Sequence, residues 1–94
     1  MDSLLERSRE QIRSVARKHG VRRLRVFGSR ANERAGETSD LDLLVEMEPG
    51  RDLLDLVAVK QDLEALLGCP VDVVTERGLS PYLKEQVLRE ARPL

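Results

Sequence analysis

Apolar side chains recur at helical spacing in three stretches of the chain. In the first, over about residues 3–19, they form one stripe of an amphipathic helix: Leu5, Ile12, Val15 and Ala16. The second runs from Asp52, a residue type that caps helices, to Gly68, which favours a helix end. The third begins at Ser80-Pro81, a cap followed by proline at the first helical position, and reaches about residue 91.

Strand-like patterns occupy the stretches between these helices. Residues 23–27 alternate polar and apolar, and residues 41–46 form an apolar strand ended by a Glu48-Pro49-Gly50 turn. Residues 70–74 form a short strand rich in β-branched valine. The polar stretch 30–38 predicts a short helical turn followed by a loop. The order is therefore α-β-α-β-α-β-α. It predicts a single α/β (α+β) domain over residues 1–94, with a three-stranded mixed sheet flanked by helices.

Length and composition limit the classes of protein that this can be. The 94 residues have a mass of 10.6 kDa, which suits one domain and excludes a cleft between two large ones. Apolar residues make up 40% and charged residues 35%, a globular composition. The net charge of -1 does not favour a nucleic-acid binder. Residues 1–30 nevertheless hold nine Lys/Arg against three Asp/Glu, whereas residues 31–94 hold seven against fourteen.

The cysteine count and the apolar runs indicate the compartment. Cys69 has no second cysteine to pair with, so nothing in the chain depends on oxidising conditions. No apolar run approaches the roughly 18 residues of a membrane span. We therefore expect a cytoplasmic protein without a membrane partner.

Three aspartates are placed so that they can meet at one edge of the sheet. Asp40 and Asp42 are two residues apart at the start of the second strand, and Asp72 starts the third. A crossover through a helix favours parallel pairing of those two strands. If the first two strands pair antiparallel, the end of the first lies beside the start of the second, which brings Gly28 next to Asp40 and Asp42. Three converging carboxylates need cations or protons, and oxygen ligands of this kind suit Mg²⁺ or Mn²⁺. We expect a metal site that handles phosphate.

Gly28 and Ser29 end the first strand and supply the complementary half of such a site. A glycine there lets the backbone approach a phosphate closely, and Ser29 can donate its hydroxyl and its amide. Arg30 can add a charge-assisted contact, although an ion pair with Asp40 or Asp42 is an equal alternative.

The spacing Gly28-Ser29-x10-Asp40-x-Asp42 with Asp72 resembles the signature of the nucleotidyltransferase superfamily that includes DNA polymerase beta. The segments 27–31 and 39–45 are similar to its minimal nucleotidyltransferase branch, and the resemblance covers nearly the whole chain. It implies a small nucleotidyltransferase fold in which Asp40, Asp42 and Asp72 are catalytic and bind two Mg²⁺ ions. It also implies that the turn, with Gly28, Ser29 and Arg30, holds the triphosphate of ATP.

The resemblance also implies a partner. Small members of this branch commonly act as antitoxins of HEPN-domain ribonuclease toxins encoded nearby, and some transfer AMP from ATP onto a tyrosine of the toxin. Many relatives carry a second basic residue at the position of Asn32, and Arg34 is the nearest substitute in this chain.

Three alternatives stay open at this level. The chain can be an active adenylyltransferase, or an antitoxin that neutralises its partner by occlusion alone. A small-molecule nucleotidyltransferase, such as an antibiotic-modifying enzyme, would need a further substrate-binding domain. Sequence does not decide whether the chain forms a homo-oligomer or assembles only with its partner.

Overall fold

The computed structural model describes residues 3–31 and 40–94, and every element below lies within these ranges. In chain order these elements are α1 (Ser3–Lys18), β1 (Val21–Phe27), β2 (Leu41–Met47), α2 (Leu53–Leu67), β3 (Val71–Val74), a short 3-10 helix (Glu76–Gly78), α3 (Pro81–Glu90) and β4 (Arg92–Pro93). Of the helical turn predicted over residues 30–38, only Arg30 and Ala31 are described. They belong to a turn in which the Ala31 N–H donates to the Gly28 carbonyl at 3.2 Å. Asn32 and Arg34 lie outside the described residues.

The strands form one mixed sheet in the order β3-β2-β1-β4. β2 pairs parallel with β3, as predicted, and β1 pairs antiparallel with β2, which is the condition under which the predicted site residues meet. The predicted count of three strands is wrong, because β4 adds a fourth strand antiparallel to β1. β4 has only two residues and one of them is Pro93, so it carries no alternating pattern, and its proline suits an edge position.

The two faces of the sheet differ in character. Alternate residues of β2 point to opposite faces, and Leu41, Leu43 and Val45 are buried together with side chains of α1 and α2 in one apolar core. α1 packs against β1, α2 packs against β3, and the two helices contact each other. Asp42 and Leu44 point to the opposite face of the sheet, away from this core.

The predicted helix starts are confirmed for α2 and α3. The Asp52 carboxylate accepts hydrogen bonds from the N–H groups of Leu54 at 3.0 Å and Asp55 at 3.3 Å. The Ser80 hydroxyl accepts from the Leu83 N–H at 3.4 Å, with Pro81 in the first turn. None of the helices described in residues 3–31 and 40–94 has the length and apolar character needed to cross a membrane.

Candidate active site

The register of the sheet brings the predicted site residues to one end. Phe27, the last residue of β1, lies opposite Asp42, and Asp42 lies opposite Asp72 on β3. Gly28 follows Phe27 directly, so the turn and the two carboxyl groups meet on the face of the sheet opposite the core. The antiparallel pairing places the end of β1 beside the start of β2, and the parallel pairing places the start of β3 there as well.

The Asp42 and Asp72 side chains are close neighbours. Asp42 is partly buried, and it lies opposite Asp72 on the adjacent strand. Burial raises the pKa of Asp42 above its ordinary value, and the negative charges of Asp72 and Asp40 raise it further. A bound cation would relieve the repulsion between these neighbouring acidic side chains.

Asp40 stands directly before β2, and its side chain is exposed. Its charge acts on Asp42, yet the three aspartates do not form a ready ligand cluster. Within the described residues, no three His, Cys, Asp or Glu side chains are grouped closely enough to hold a metal ion. The Asp42–Asp72 pair fits a hard divalent cation in charge and in oxygen donors. Asp40 would have to move toward the pair to become a third ligand.

Gly28 makes room for the Asp42 carboxylate. Its φ of +77° lies in the region that favours glycine. A Cβ placed at this position would collide with Asp42 Oδ2 and stand 3.4 Å from its Cγ. Sequence reasoning assigned this glycine to phosphate approach and missed the contact, because the contact depends on the β1–β2 register. Ser29 follows in the turn and is partly buried.

Arg30 is buried, with 2% of its surface exposed. It already makes an interaction within the protein. A guanidinium in this position would have to leave its surroundings to contact a phosphate. The phosphate contact and the ion pair with Asp40 or Asp42 both stay predictions for Arg30.

A separate open cleft of about 700 Å³ lies at the other end of β2, between the β2–α2 connection and the 3-10 helix. Arg25, Arg51 and Glu76 are among its lining residues, and none of the predicted site residues line it. Its charges neutralise one another, as in the Arg25–Glu76 pair at 3.2 Å and the Arg51–Glu48 pair at 3.7 Å. The unneutralised carboxyl pair is therefore the better candidate for chemistry, although it is not in the cleft.

Comparison with known proteins agrees with this geometry. The sequence profile of the nucleotidyltransferase domain matches residues 8–94. The chain belongs to the nucleotidyltransferase domain family. Among curated relatives, "Putative protein adenylyltransferase MJ0435" of Methanocaldococcus jannaschii is 47% identical over 83 residues, 88% of this chain and 89% of that protein. "Protein adenylyltransferase MntA" of Thermococcus cleftensis is 38% identical over 90 residues, 96% and 88% of the two chains.

Solved structures of this family share the fold. One, titled "Structure of putative minimal nucleotidyltransferase", is 57% identical with a TM-score of 0.87, over 100% of this chain and 97% of that one. A more distant match is a Shewanella oneidensis complex of a tri-AMPylated HEPN toxin with an MNT antitoxin. It is 22% identical with a TM-score of 0.71, over 94% and 69% of the two chains, and it supports the fold alone. The fold and the nucleotidyltransferase class of enzyme predicted from the motif are thus confirmed.

Proposed function

We propose that this chain transfers AMP from ATP to a hydroxyl group, that of a tyrosine, on a HEPN-type toxin and thereby acts as its antitoxin. The observation that carries the proposal is the Asp42–Asp72 carboxyl pair beside the Gly28 turn in a nucleotidyltransferase domain. The names of the adenylyltransferase relatives and the AMPylated toxin in the Shewanella complex support the choice of AMP and of partner.

The reaction forms a bond between the acceptor oxygen and the α-phosphorus of ATP and breaks the bond from that phosphorus to the pyrophosphate oxygen. The acceptor proton leaves, and Asp72, at the exposed edge of the site, is the group we assign to receive it. Gly28 and Ser29 hold the triphosphate through the turn. Asp42 and Asp40 complete the acidic end of β2 beside it.

Mg²⁺, with Mn²⁺ as a substitute, is the group we assign to Asp40, Asp42 and Asp72, as one or two ions. When bound, it neutralises the charge that accumulates on the phosphate oxygens in the transition state. This assignment rests on the carboxylate oxygens that these residues offer and on the negative charges of Asp72 and Asp40 that act on Asp42. Arg30 is the exception among the proposed nucleotide ligands, since its burial favours a role in holding the turn.

Exposed apolar side chains support a protein as acceptor. Leu54 on α2 is 76% exposed and Tyr82 on α3 is 93% exposed, with Leu53 and Leu83 exposed beside them in sequence. Each pair of sequence neighbours, Leu53 with Leu54 and Tyr82 with Leu83, offers exposed apolar area that a protein partner would cover.

The test uses ATP labelled at either the α- or the γ-phosphate, with Mg²⁺ and the candidate HEPN protein. We expect the partner to take up the α-label and not the γ-label. Asp42→Asn removes the transfer, and Asp62→Asn, which changes an aspartate on α2 that pairs with His19 at 2.6 Å, leaves it intact. Transfer of the γ-label, or equal transfer by the Asp42→Asn variant, would refute the proposal.

Neutralisation by occlusion is the second candidate. It is favoured by the exposed apolar side chains of α2 and α3 and by the lack, within residues 3–31 and 40–94, of three side chains grouped to hold a metal ion. The triple variant Asp40→Ala, Asp42→Ala and Asp72→Ala separates the two. If this variant still suppresses toxicity in cells, binding alone is sufficient. Lost suppression with the complex still formed supports the enzyme.

A further inference from the structure

Two side chains of α2 hold the backbone of the residue that precedes Asp72. Lys60 Nζ donates to the Val71 carbonyl oxygen at 2.7 Å, and the Val71 N–H donates to Glu64 Oε2 at 3.0 Å. Lys60 Nζ also donates to Glu64 Oε2 at 3.2 Å. Residues 60 and 64 are one helical turn apart, so both side chains leave the same face of α2. We call these two residues the Lys60–Glu64 clamp.

The clamp bonds to the side of β3 that faces away from β2. Among the strands of residues 3–31 and 40–94, β3 is at one edge of the sheet and pairs with β2 alone. Val71 lies opposite Leu41, and the Leu41 N–H bonds to the Pro70 carbonyl at 2.9 Å, so Val71's own N–H and carbonyl point away from β2. Edge groups of this kind otherwise bond to water. Here the start of β3 is held by β2 on one side and by the clamp on the other.

The clamp restrains the position of Asp72, because Asp72 directly follows Val71. β3 has only four residues, and Asp72 is the second of them. Because side chains alternate along a strand, a slip by one residue would turn Asp72 toward the core and away from Asp42. Smaller movements would change the distance between the two carboxyl groups.

We infer that Lys60 and Glu64 are positioning residues that set Asp72 against Asp42 in the active site. The inference rests on the proposed function, since it assigns the clamp to that same site. Neither side chain touches substrate in this assignment, because both act through the Val71 backbone. A purely structural role, in which the clamp only docks α2 on β3, predicts lower stability and unchanged kinetics.

The test compares three variants at a temperature where all remain folded. Glu64→Ala removes the acceptor for the Val71 N–H, whereas Glu64→Gln keeps an acceptor oxygen at the same reach. Glu90→Ala is the matched control, because Glu90 also accepts from a side chain one helical turn away, Gln86 Nε2 at 3.4 Å, but on α3.

We expect Glu64→Ala to lower the kcat of AMP transfer by about 10- to 100-fold, since a misplacement of about 1 Å costs up to that much, with the KM for ATP nearly unchanged. Glu64→Gln regains most of the rate, and Glu90→Ala matches the wild type. Added to Asp72→Asn, Glu64→Ala has no further effect, because it acts through Asp72. The inference would be overturned if Glu64→Ala kept the full kcat. It would also be overturned if Glu64→Ala lowered kcat by the same factor in the Asp72→Asn background as in the wild type.

A second readout needs no activity. Amide exchange at Val71 and the NMR signal of the Asp72 carboxyl carbon are followed in the ATP-free protein. We expect Glu64→Ala to speed the exchange and shift the Asp72 signal, and Glu90→Ala to change neither. An unmoved Asp72 signal in Glu64→Ala refutes the clamp even if transfer is observed. A wild type without transfer refutes the proposed function and leaves this readout to decide the clamp.

Discussion

Replacement of Gly28 by alanine tests whether the turn and the Asp42 carboxylate are coupled. The new methyl group meets two separate obstacles. One is the backbone, since a φ of +77° is unfavourable for any residue with a Cβ and costs about 1–2 kcal/mol. The other is Asp42, whose Oδ2 the methyl group would overlap and whose Cβ would lie 3.6 Å from it. The carboxylate can escape only by rotating away from its place beside Asp72.

Gly50→Ala isolates the backbone cost. Gly50 has a φ of +88°, and a Cβ there meets nothing within 4 Å. It lies in the turn after β2, at the far end of that strand from Asp42. We expect both variants to lose about 1 kcal/mol or more, which lowers the Tm by about 4–8 °C for each kcal/mol in a domain of this size. Only Gly28→Ala displaces a proposed catalytic carboxylate.

The assays are thermal unfolding and the rate of AMP transfer at a temperature well below both values of Tm. Gly28→Ala is expected to lose about 100-fold in rate, in keeping with a misplacement of about 1 Å, and Gly50→Ala to retain the wild-type rate. Equal rates in the two folded variants would show that Asp42 does not depend on the space beside Gly28, and the reasoning would be wrong.

Three further predictions concern stability. Without metal at pH 7, Asp42→Asn is expected to be more stable to urea than the wild type. Burial and the charges of Asp72 and Asp40 raise the pKa of Asp42, so ionisation of this carboxyl group opposes folding. The difference in stability disappears toward about pH 3, where the carboxyl group is protonated in both the folded and the unfolded state. The hydrogen bond from the Val71 N–H, and then Lys60, lower the pKa of Glu64. The wild type is therefore expected to be more stable than Glu64→Gln by its full margin above the ordinary pKa of a glutamate. In urea unfolding measured at decreasing pH, this margin shrinks as the pH falls below that value. Leu43→Ala removes a fully buried core side chain and costs about 2–5 kcal/mol by urea unfolding.

Each of these has a result that contradicts it. A less stable Asp42→Asn at pH 7 would mean that the carboxylate is well solvated or already paired with a cation. A constant difference between wild type and Glu64→Gln at every pH would mean that the Val71 bond does not depend on charge. A loss below about 1 kcal/mol for Leu43→Ala would place that side chain outside a tightly packed core.

Local patterns were sufficient to predict most of the fold. Helix caps such as Asp52 and Ser80 are decided by a few neighbouring residues, and the parallel pairing of β2 with β3 follows from the helical crossover, so both could be predicted and are confirmed. The antiparallel pairing of β1 with β2 was only a condition of the predicted site, and the register meets that condition. β4 could not, because its pairing with β1 is made by two residues that have no pattern of their own.

The candidate site was predictable in its members and less so in their arrangement. Spacing placed Asp42 and Asp72 side by side, as the register does. The burial of Arg30, the contact of Gly28 with Asp42 and the hold of Glu64 on Val71 all depend on distances between elements far apart in sequence. The sequence does not show whether a charged residue of α2 such as Glu64 is solvated or bonds to the edge of a strand.

The intact mass of the HEPN partner after incubation with this chain, ATP and Mg²⁺ shows whether AMP is transferred. We expect a gain of one or more AMP units with the wild type, located on tyrosine by fragmentation, and no gain with Asp42→Asn or with Mg²⁺ removed by a chelator. An unchanged partner mass with the wild type, while the two proteins form a complex, would contradict this expectation.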